Sequence, residues 1–387
     1  MDLVQTLDRI NTSAFANDEE RSEAVEAAYA LVSRLETPWE FILRTCMIQP
    51  AVGAALKIGK DLDLYQKWHD RGDLEMNLKD LTDMISSCEE ELLYRILRHL
   101  AACHVLQETS PAVFKPTHLS ISFADPAFGE WINQLYNSTL PIFSKMPLYL
   151  AQHDYRTPLD PTNSVFQFAK GYRGSLFHYY SEHPVEGASF DCAMSSARLS
   201  PEGWVNVFPS EILLKTDQGG DTPLIVDVGG SVGHDIEKFR VKHPDTVDRL
   251  YLEDLPSVIA RSNCDEHINK INYDFFKPQP VRGARAYYMH SILHDWPDDA
   301  ARKILEMQRD AMQVGSSTLL INDHIIVDHM VHPKATGMDL TVMGLVAGRE
   351  RKEEDWRKLL ASAGFTIIKT WTSTPGSQGI IEAERET

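Results

Sequence analysis

The stretch Pro223–Phe239, PLIVDVGGSVGHDIEKF, constrains this chain more than any other. An aliphatic, β-branched run ends at Asp227-Val228, and Gly229, Gly230 and Gly233 follow. A strand that turns through glycines into a helical segment opens a parallel α/β unit. Ligands of such sheets sit at the carboxyl ends of the strands, and glycine lets them approach the backbone. The spacing is not G-x-G-x-x-G and no P-loop lysine follows, which disfavours a dinucleotide or a nucleoside triphosphate. The next apolar run, RLYLEDL, ends in Glu253-Asp254. A carboxylate there accepts hydrogen bonds from both hydroxyls of an unphosphorylated ribose. The turn therefore points to a nucleoside without a phosphate chain, with S-adenosylmethionine the obvious candidate.

Downstream, the runs ARAYYM, TLLIND and FTIIKTW alternate with helical segments at His234–Val241, Asp298–Met312 and Glu353–Ala363. That alternation predicts a Rossmann-like, mostly parallel sheet, closed by an antiparallel hairpin around Pro375-Gly376. Upstream, the first 110 residues read as helical, with amphipathic segments at Glu19–Leu35 and Glu89–Val105. Phe41–Leu56 is apolar on more than one side, so it must be covered by its own core or by a second subunit. FKPTHLSISFA is expected to supply a strand or two, giving a winged-helix-like module. The expected division is a helical dimerisation domain over residues 1–120 and a catalytic domain over 121–387, with linking helices at 121–215.

A net charge of −18 disfavours nucleic acid, because binding phosphates needs a basic surface. Five scattered cysteines without a CxxC pair argue for reduced thiols in a cytoplasmic compartment and against a zinc site. No run of about 18 consecutive apolar residues suggests a membrane span, and the N-terminus lacks the apolar core of a secretory signal. A small-molecule substrate remains.

The pieces VDVGGSVG, EDLPSVI, NYDFF, HSILHDWPDD and AGRERKEEDW occur in this order. Together they resemble the plant- and fungal-type O-methyltransferases, which are dimeric and use S-adenosylmethionine. The resemblance spans nearly the whole chain. It implies that Gly229 and Gly230 approach the cofactor's methionine part and that Asp254 holds the ribose. It also implies that Asp274 and Phe275 clamp the adenine and that His290 lies near the cofactor's carboxylate or amine. Ser231 stands where the family usually has a third glycine, and it fits if its φ stays negative.

His294 in MHSILHDWPDD lies just past a strand, at the ligand-facing edge. A phenol is a poor nucleophile until it loses its proton, and a neutral imidazole can take that proton as the methyl moves. A carboxylate on the other ring nitrogen fixes the tautomer. The resemblance places Asp323 and Glu350 at that task. Asp295 has a competing role as cap of the helix beginning near Pro297. His290 and His294, four apart, are not expected to bind a metal, since no further ligand motif accompanies them.

Trp131, Phe166, Phe168, Phe177, Met194, Trp204 and Phe208 are expected as substrate walls, with Met338, Met343 and Leu345 opposite. Arg198, a cation among aromatics, can hold a carbonyl or enolate oxygen. The resemblance leaves two activities open. One is O-methylation of an aromatic or polyketide-type metabolite. The other is dehydration or pericyclic ring formation that uses the bound cofactor's charge without transferring its methyl.

Overall fold

The structure, a computed structural model, describes residues 3–197, 203–215, 220, 222–329, 331–372 and 378–387. It divides into two compact units, Met1–Ala124 and Asp125–Thr387.

In the first unit Asn17 caps the helix Asp18–Leu35 by accepting from the Glu20 N–H. Thr37 and Glu40 form a reciprocal capping box that starts the helix Pro38–Leu43. This helix continues through a π-helical turn, Arg44–Ile48, into Gln49–Asp61. The whole span Pro38–Asp61 is, by length and composition, apolar enough to cross a membrane, and only 11% of its most apolar window is buried within the chain. It contains Phe41–Leu56, the segment whose apolar sides call for cover beyond its own core. Trp39, Phe41, Ile42, Met47 and Ile48 are all exposed on it.

Strand β1 (Met76–Asn77), helices Leu78–Ile85 and Glu90–Ala102, and strands β2 (Leu106–Ser110) and β3 (Val113–Pro116) complete the unit. The small sheet is antiparallel, in the order β1-β3-β2. FKPTHLSISFA gives only the end of β3. Thr117 then caps a helix at His118–Ser122, so the second expected strand does not form.

The second unit is built on seven strands. They are β4 (Ile225–Val228), β5 (Leu250–Asp254), β6 (Asn269–Asn272), β7 (Ala286–His290), β8 (Thr318–Asp323), β11 (Phe365–Trp371) and β12 (Gly379–Arg385). Two short strands, β9 (Ile325–Ile326) and β10 (Arg351–Lys352), pair with each other in parallel outside the main sheet. The sheet order is β11-β12-β8-β7-β4-β5-β6. The strands from β8 to β6 are parallel, and β12 joins antiparallel to both β8 and β11. β4, β7 and β8 are buried along their whole length, as expected for central strands covered on both faces. The short, polar β6 carries no apolar run that would mark it in the sequence.

Successive residues alternate between two cores. On one face Val226, Tyr287, Met289 and Ile321 meet Leu305 and Trp356. On the other, Ile225, Tyr288 and Leu320 meet Trp204, Phe208 and Phe239. A third cluster joins the linking helices Leu140–Gln152 and Val165–Lys170 to the helix Pro333–Val346, through Ile142, Tyr149, Phe166 and Val342. Ser164 fixes that contact by donating to the Gly344 and Leu345 carbonyls at 3.1 and 3.0 Å.

Candidate active site

The glycine turn leaves the carboxyl end of β4, in the middle of the sheet. Gly229 has φ 68° and Gly233 φ 101°, a region that glycine enters without a Cβ penalty. A Cβ on Gly229 would lie 2.6 Å from Ile292 Cδ1 and 3.6 Å from Phe275 Cε1, so bare backbone forms the floor between those side chains. A Cβ on Gly230 would lie 2.5 Å from Asp227 Cγ. The N–H groups of Gly229 and Gly230 donate to the Glu253 carbonyl at 2.8 and 3.1 Å, tying the turn to β5.

Ser231 departs from expectation: its φ is +58°, not negative. A non-glycine residue there is strained by about 1–2 kcal/mol. Its N–H donates to Asp254 Oδ2 at 2.8 Å, which helps hold the conformation. Asp254 Oδ1 accepts from the Leu255 N–H at 2.7 Å. A carboxylate offers about four acceptor positions, the chemistry that suits a pair of ribose hydroxyls. Asp274 Oδ1 accepts from the Phe276 N–H at 3.0 Å, which presents half-buried Phe275 toward Gly229. Gly229, Asp254, Asp274 and Phe275 thus gather at one sheet edge, in a form that suits a nucleoside cofactor.

His290 ends β7, but both its ring nitrogens meet protein groups. Nδ1 lies 2.5 Å from Asp235 Oδ2 and Nε2 lies 2.7 Å from Gln378 Oε1. Gln378 Nε2 in turn donates to Ser291 Oγ at 2.7 Å. His290 therefore braces the site, joining β7, the first turn of helix His234–Lys242 and the start of β12. Any contact it makes with a cofactor is secondary to these. Gln378 carries no signal in the sequence, since the segment before β12 has no periodicity.

His294 lies in a 3-10 turn, Leu293–Asp295, and is 7% exposed. Nδ1 is 2.8 Å from Glu350 Oε1 and 3.9 Å from Asp323 Oδ1, and Nε2 is 3.4 Å from Asp295 Oδ1. Burial alone would lower the pKa of the ring. The surrounding carboxylates, Asp295, Asp323 and Glu350, outweigh it and raise the pKa to about 10. Burial pushes Asp323 up to about 8 and Asp295 up to about 6. Both oxygens of Asp323 and Oε2 of Glu350 are buried without a hydrogen-bond partner. The cluster therefore holds a proton tightly. Asp295 turns to His294 rather than capping the next helix, whose cap position is Pro297.

Four features missed in the sequence hold this turn and its Glu350 partner. Gly348 comes so close that a Cβ there would strike the His294 carbonyl oxygen. The Arg349 N–H donates to that same carbonyl at 2.8 Å. Fully buried Arg351 donates to the carbonyls of Leu293 and Trp296, both at 2.7 Å, and to Asp298 at 3.0 Å. Asp339 accepts from the Glu350 N–H at 2.8 Å. The position of Arg351 directly after Glu350 was the one available signal.

On the substrate side, Phe177 stacks on Trp296 (6.3 Å, 26°), whose other contacts are edge-to-face with Phe275 and Phe276. Phe177, Met338, Met343 and Leu345 pack in one cluster. Met194 and Trp131 lie outside it, on the paired helices Pro184–Ala197 and Pro126–Gln134, and Trp131 is 37% exposed. Phe168 is also 37% exposed and meets Tyr149 edge-on. Three expected walls are core instead. Trp204 stacks on Tyr288 and Phe239, Phe208 packs in the same core, and Phe166 is fully buried among the linking helices. Arg198 lies outside the described residues.

Residues 159–366 match the family profile described as an O-methyltransferase domain. The chain is 59% identical over 382 residues to the O-methyltransferase mfmE of Annulohypoxylon moriforme, covering 99% of this chain and 95% of that one. This protein belongs to the O-methyltransferase family. Two solved structures superpose at a TM-score of 0.91 and 26% identity, covering 99% of this chain and 98% of theirs. One is titled a pericyclic reaction enzyme and the other is LepI in complex with SAM. The enzyme is an S-adenosylmethionine-dependent O-methyltransferase with the methyltransferase fold.

Proposed function

We propose that the enzyme methylates a hydroxyl of a flat aromatic or polyketide-type secondary metabolite, with His294 taking the hydroxyl proton. The observation that carries this reading is buried His294, in the turn just past β7, with Glu350 2.8 Å from Nδ1 and Asp295 3.4 Å from Nε2. Gly229, Gly230, Asp254, Asp274 and Phe275 hold the cofactor, and His290 braces its methionine end through Asp235 and Gln378. The cofactor supplies an electrophilic methyl on a sulfonium with its own leaving group. The residues supply alignment and a proton acceptor. Glu350 and Asp323 stabilise the imidazolium that forms. Phe177, Trp296 and Met343 exclude water and hold a planar ring.

The exposed apolar face of Pro38–Asp61 supports a homodimer in which a second copy covers it, within a winged-helix-like dimerisation domain. We place the enzyme in the cytoplasm, free of metal, nucleic acid and membrane.

A second reading, cofactor-assisted dehydration or ring formation, is favoured by the same carboxylates. A ring held protonated to about pH 10 is a donor before it is an acceptor. Counting S-adenosylhomocysteine against product separates the two. Methylation gives one per product and a mass gain of one methylene. Product formed without cofactor consumption overturns the methylation reading and leaves the cofactor site standing.

A further inference from the structure

Glu253 stands beside Asp254 at the end of β5, and the functional reading gives its side chain no task. It is fully buried. Its carbonyl anchors the glycine turn by accepting from the Gly229 and Gly230 N–H groups. Its Oε2 accepts from Gln279 Nε2 at 2.8 Å, while Oε1 is buried without a hydrogen-bond partner. Buried Gln279 uses every polar position it has. Nε2 also donates to Gln308 Oε1 at 2.8 Å, and Oε1 accepts from the Val281 N–H at 2.9 Å. Gln308, on the helix Asp298–Ala311, donates to Tyr273 Oη at 3.3 Å, and Tyr273 Oη donates to the Lys277 carbonyl at 2.8 Å. The Tyr273 N–H closes the circuit on the Asp254 carbonyl at 2.9 Å.

Residues 273–281 lie outside any helix or strand, so no ladder of backbone bonds fixes them. The Glu253 network does so instead, at Tyr273, Lys277, Gln279 and Val281, and it brackets Asp274 and Phe275. Fully satisfied polar networks rigidify what they hold, and removing one member leaves its partners buried and unpaired. We propose that Glu253 is a positioning residue for the cofactor: through Gln279 and Gln308 it fixes the segment 273–281 so that Asp274 selects adenine over other purines. This rests on the reading of Asp274 and Phe275 as the adenine clamp and deepens it. Burial disfavours the charged carboxylate and pushes its pKa up to about 7. A neutral amide at this position therefore keeps the acceptor that Gln279 needs.

The test is calorimetry on the full chain with S-adenosylhomocysteine and S-inosylhomocysteine, in which a carbonyl replaces the amino group of adenine. Wild type should prefer the adenine compound by roughly 10- to 100-fold, the worth of one hydrogen bond to a charged group. Glu253→Leu should cut that margin at least roughly fivefold, whereas Glu253→Gln should retain it. Tyr273→Phe removes only the hydroxyl at the far end of the network. It should give an intermediate margin, and it serves the same comparison should the leucine variant fail to fold. A role confined to stability would lower the urea midpoint of Glu253→Leu and leave the margin at its wild-type value. That result overturns the proposal and leaves the adenine clamp standing. So does a glutamine variant that loses the margin as fully as leucine. A wild type without any margin removes Asp274 from the adenine, and the proposal falls with that reading.

Discussion

Asp323→Asn should make the protein more stable at alkaline pH while impairing turnover. Asp323 is fully buried, and neither carboxyl oxygen has a hydrogen-bond partner. Burial raises its pKa from 3.8 to about 8. For an acid whose folded pKa lies above its unfolded value, folding favours the protonated form. Its contribution is then most favourable below about pH 4 and erodes as pH rises to about 8. At 1.36 kcal/mol per pH unit the full loss would be ~5–6 kcal/mol. Relaxation and water penetration reduce this to about 2–3 kcal/mol. His294, raised from 6.5 to about 10, acts in the same direction. Its contribution is complete below pH 6.5 and is lost as pH rises through 10. Asparagine removes the Asp323 leg and also lowers the upper end of the His294 leg, because Asp323 is one of the carboxylates that raise that ring. Urea unfolding at pH 5, 6.5 and 8, at fixed protein concentration, should show the variant gaining about 1.5–2 kcal/mol on wild type between pH 5 and 8. A difference that stays constant across this range would refute the claim that Asp323 is held protonated by burial.

Further outcomes follow from the same geometry. His294→Ala should lose on the order of 10²–10⁴ in turnover with S-adenosylhomocysteine affinity nearly unchanged, as read by kinetics and calorimetry. If His294 must first release a proton, log kcat should climb from neutral toward alkaline pH. Glu350→Gln, by removing the carboxylate at 2.8 Å, should shift that climb to lower pH. Arg351→Met leaves the Leu293 and Trp296 carbonyls without their donor and should cost about 3–5 kcal/mol of unfolding free energy. Ser231→Gly relieves the left-handed strain but frees the unfolded chain, so stability should stay within about 0.5 kcal/mol, whereas Ser231→Val should lose about 1–2 kcal/mol in melting experiments.

The central sheet was legible because its strands are long apolar runs punctuated by glycine. The two runs ending at Val228 and Asp254 put Gly229 and Asp254 at the same edge on sequence alone. β6 was invisible because NKIN has no apolar periodicity and forms only by pairing with β5. His294, Asp323 and Glu350 were found by resemblance; their sequence separation gives no hint that one ring meets both acids. His290 directly follows the run ARAYYM, yet its partners come from 55 and 88 residues away, distances that no local pattern encodes. Aromatic residues were the least legible. Trp204, Phe166 and Phe177 look alike in the sequence, and only the face on which each helix lands separates core from wall. The positive φ of Ser231 was misjudged because local preference yields to the hydrogen bond that Asp254 offers.

Trp296 has one further consequence. Its indole touches Phe177 on the wall side and Phe275 and Phe276 on the nucleoside side, while its carbonyl is held by Arg351. Substitutions at Phe177 and at Phe275 should therefore be epistatic rather than additive, since both repack one indole. Changes at Met338 or Met343, which share a cluster with Phe177, should couple to the cofactor edge more weakly than changes at Phe177 itself. A lineage adapting to new acceptors would then vary the methionine wall more readily than the Trp296 neighbours, which travel as a co-inherited set.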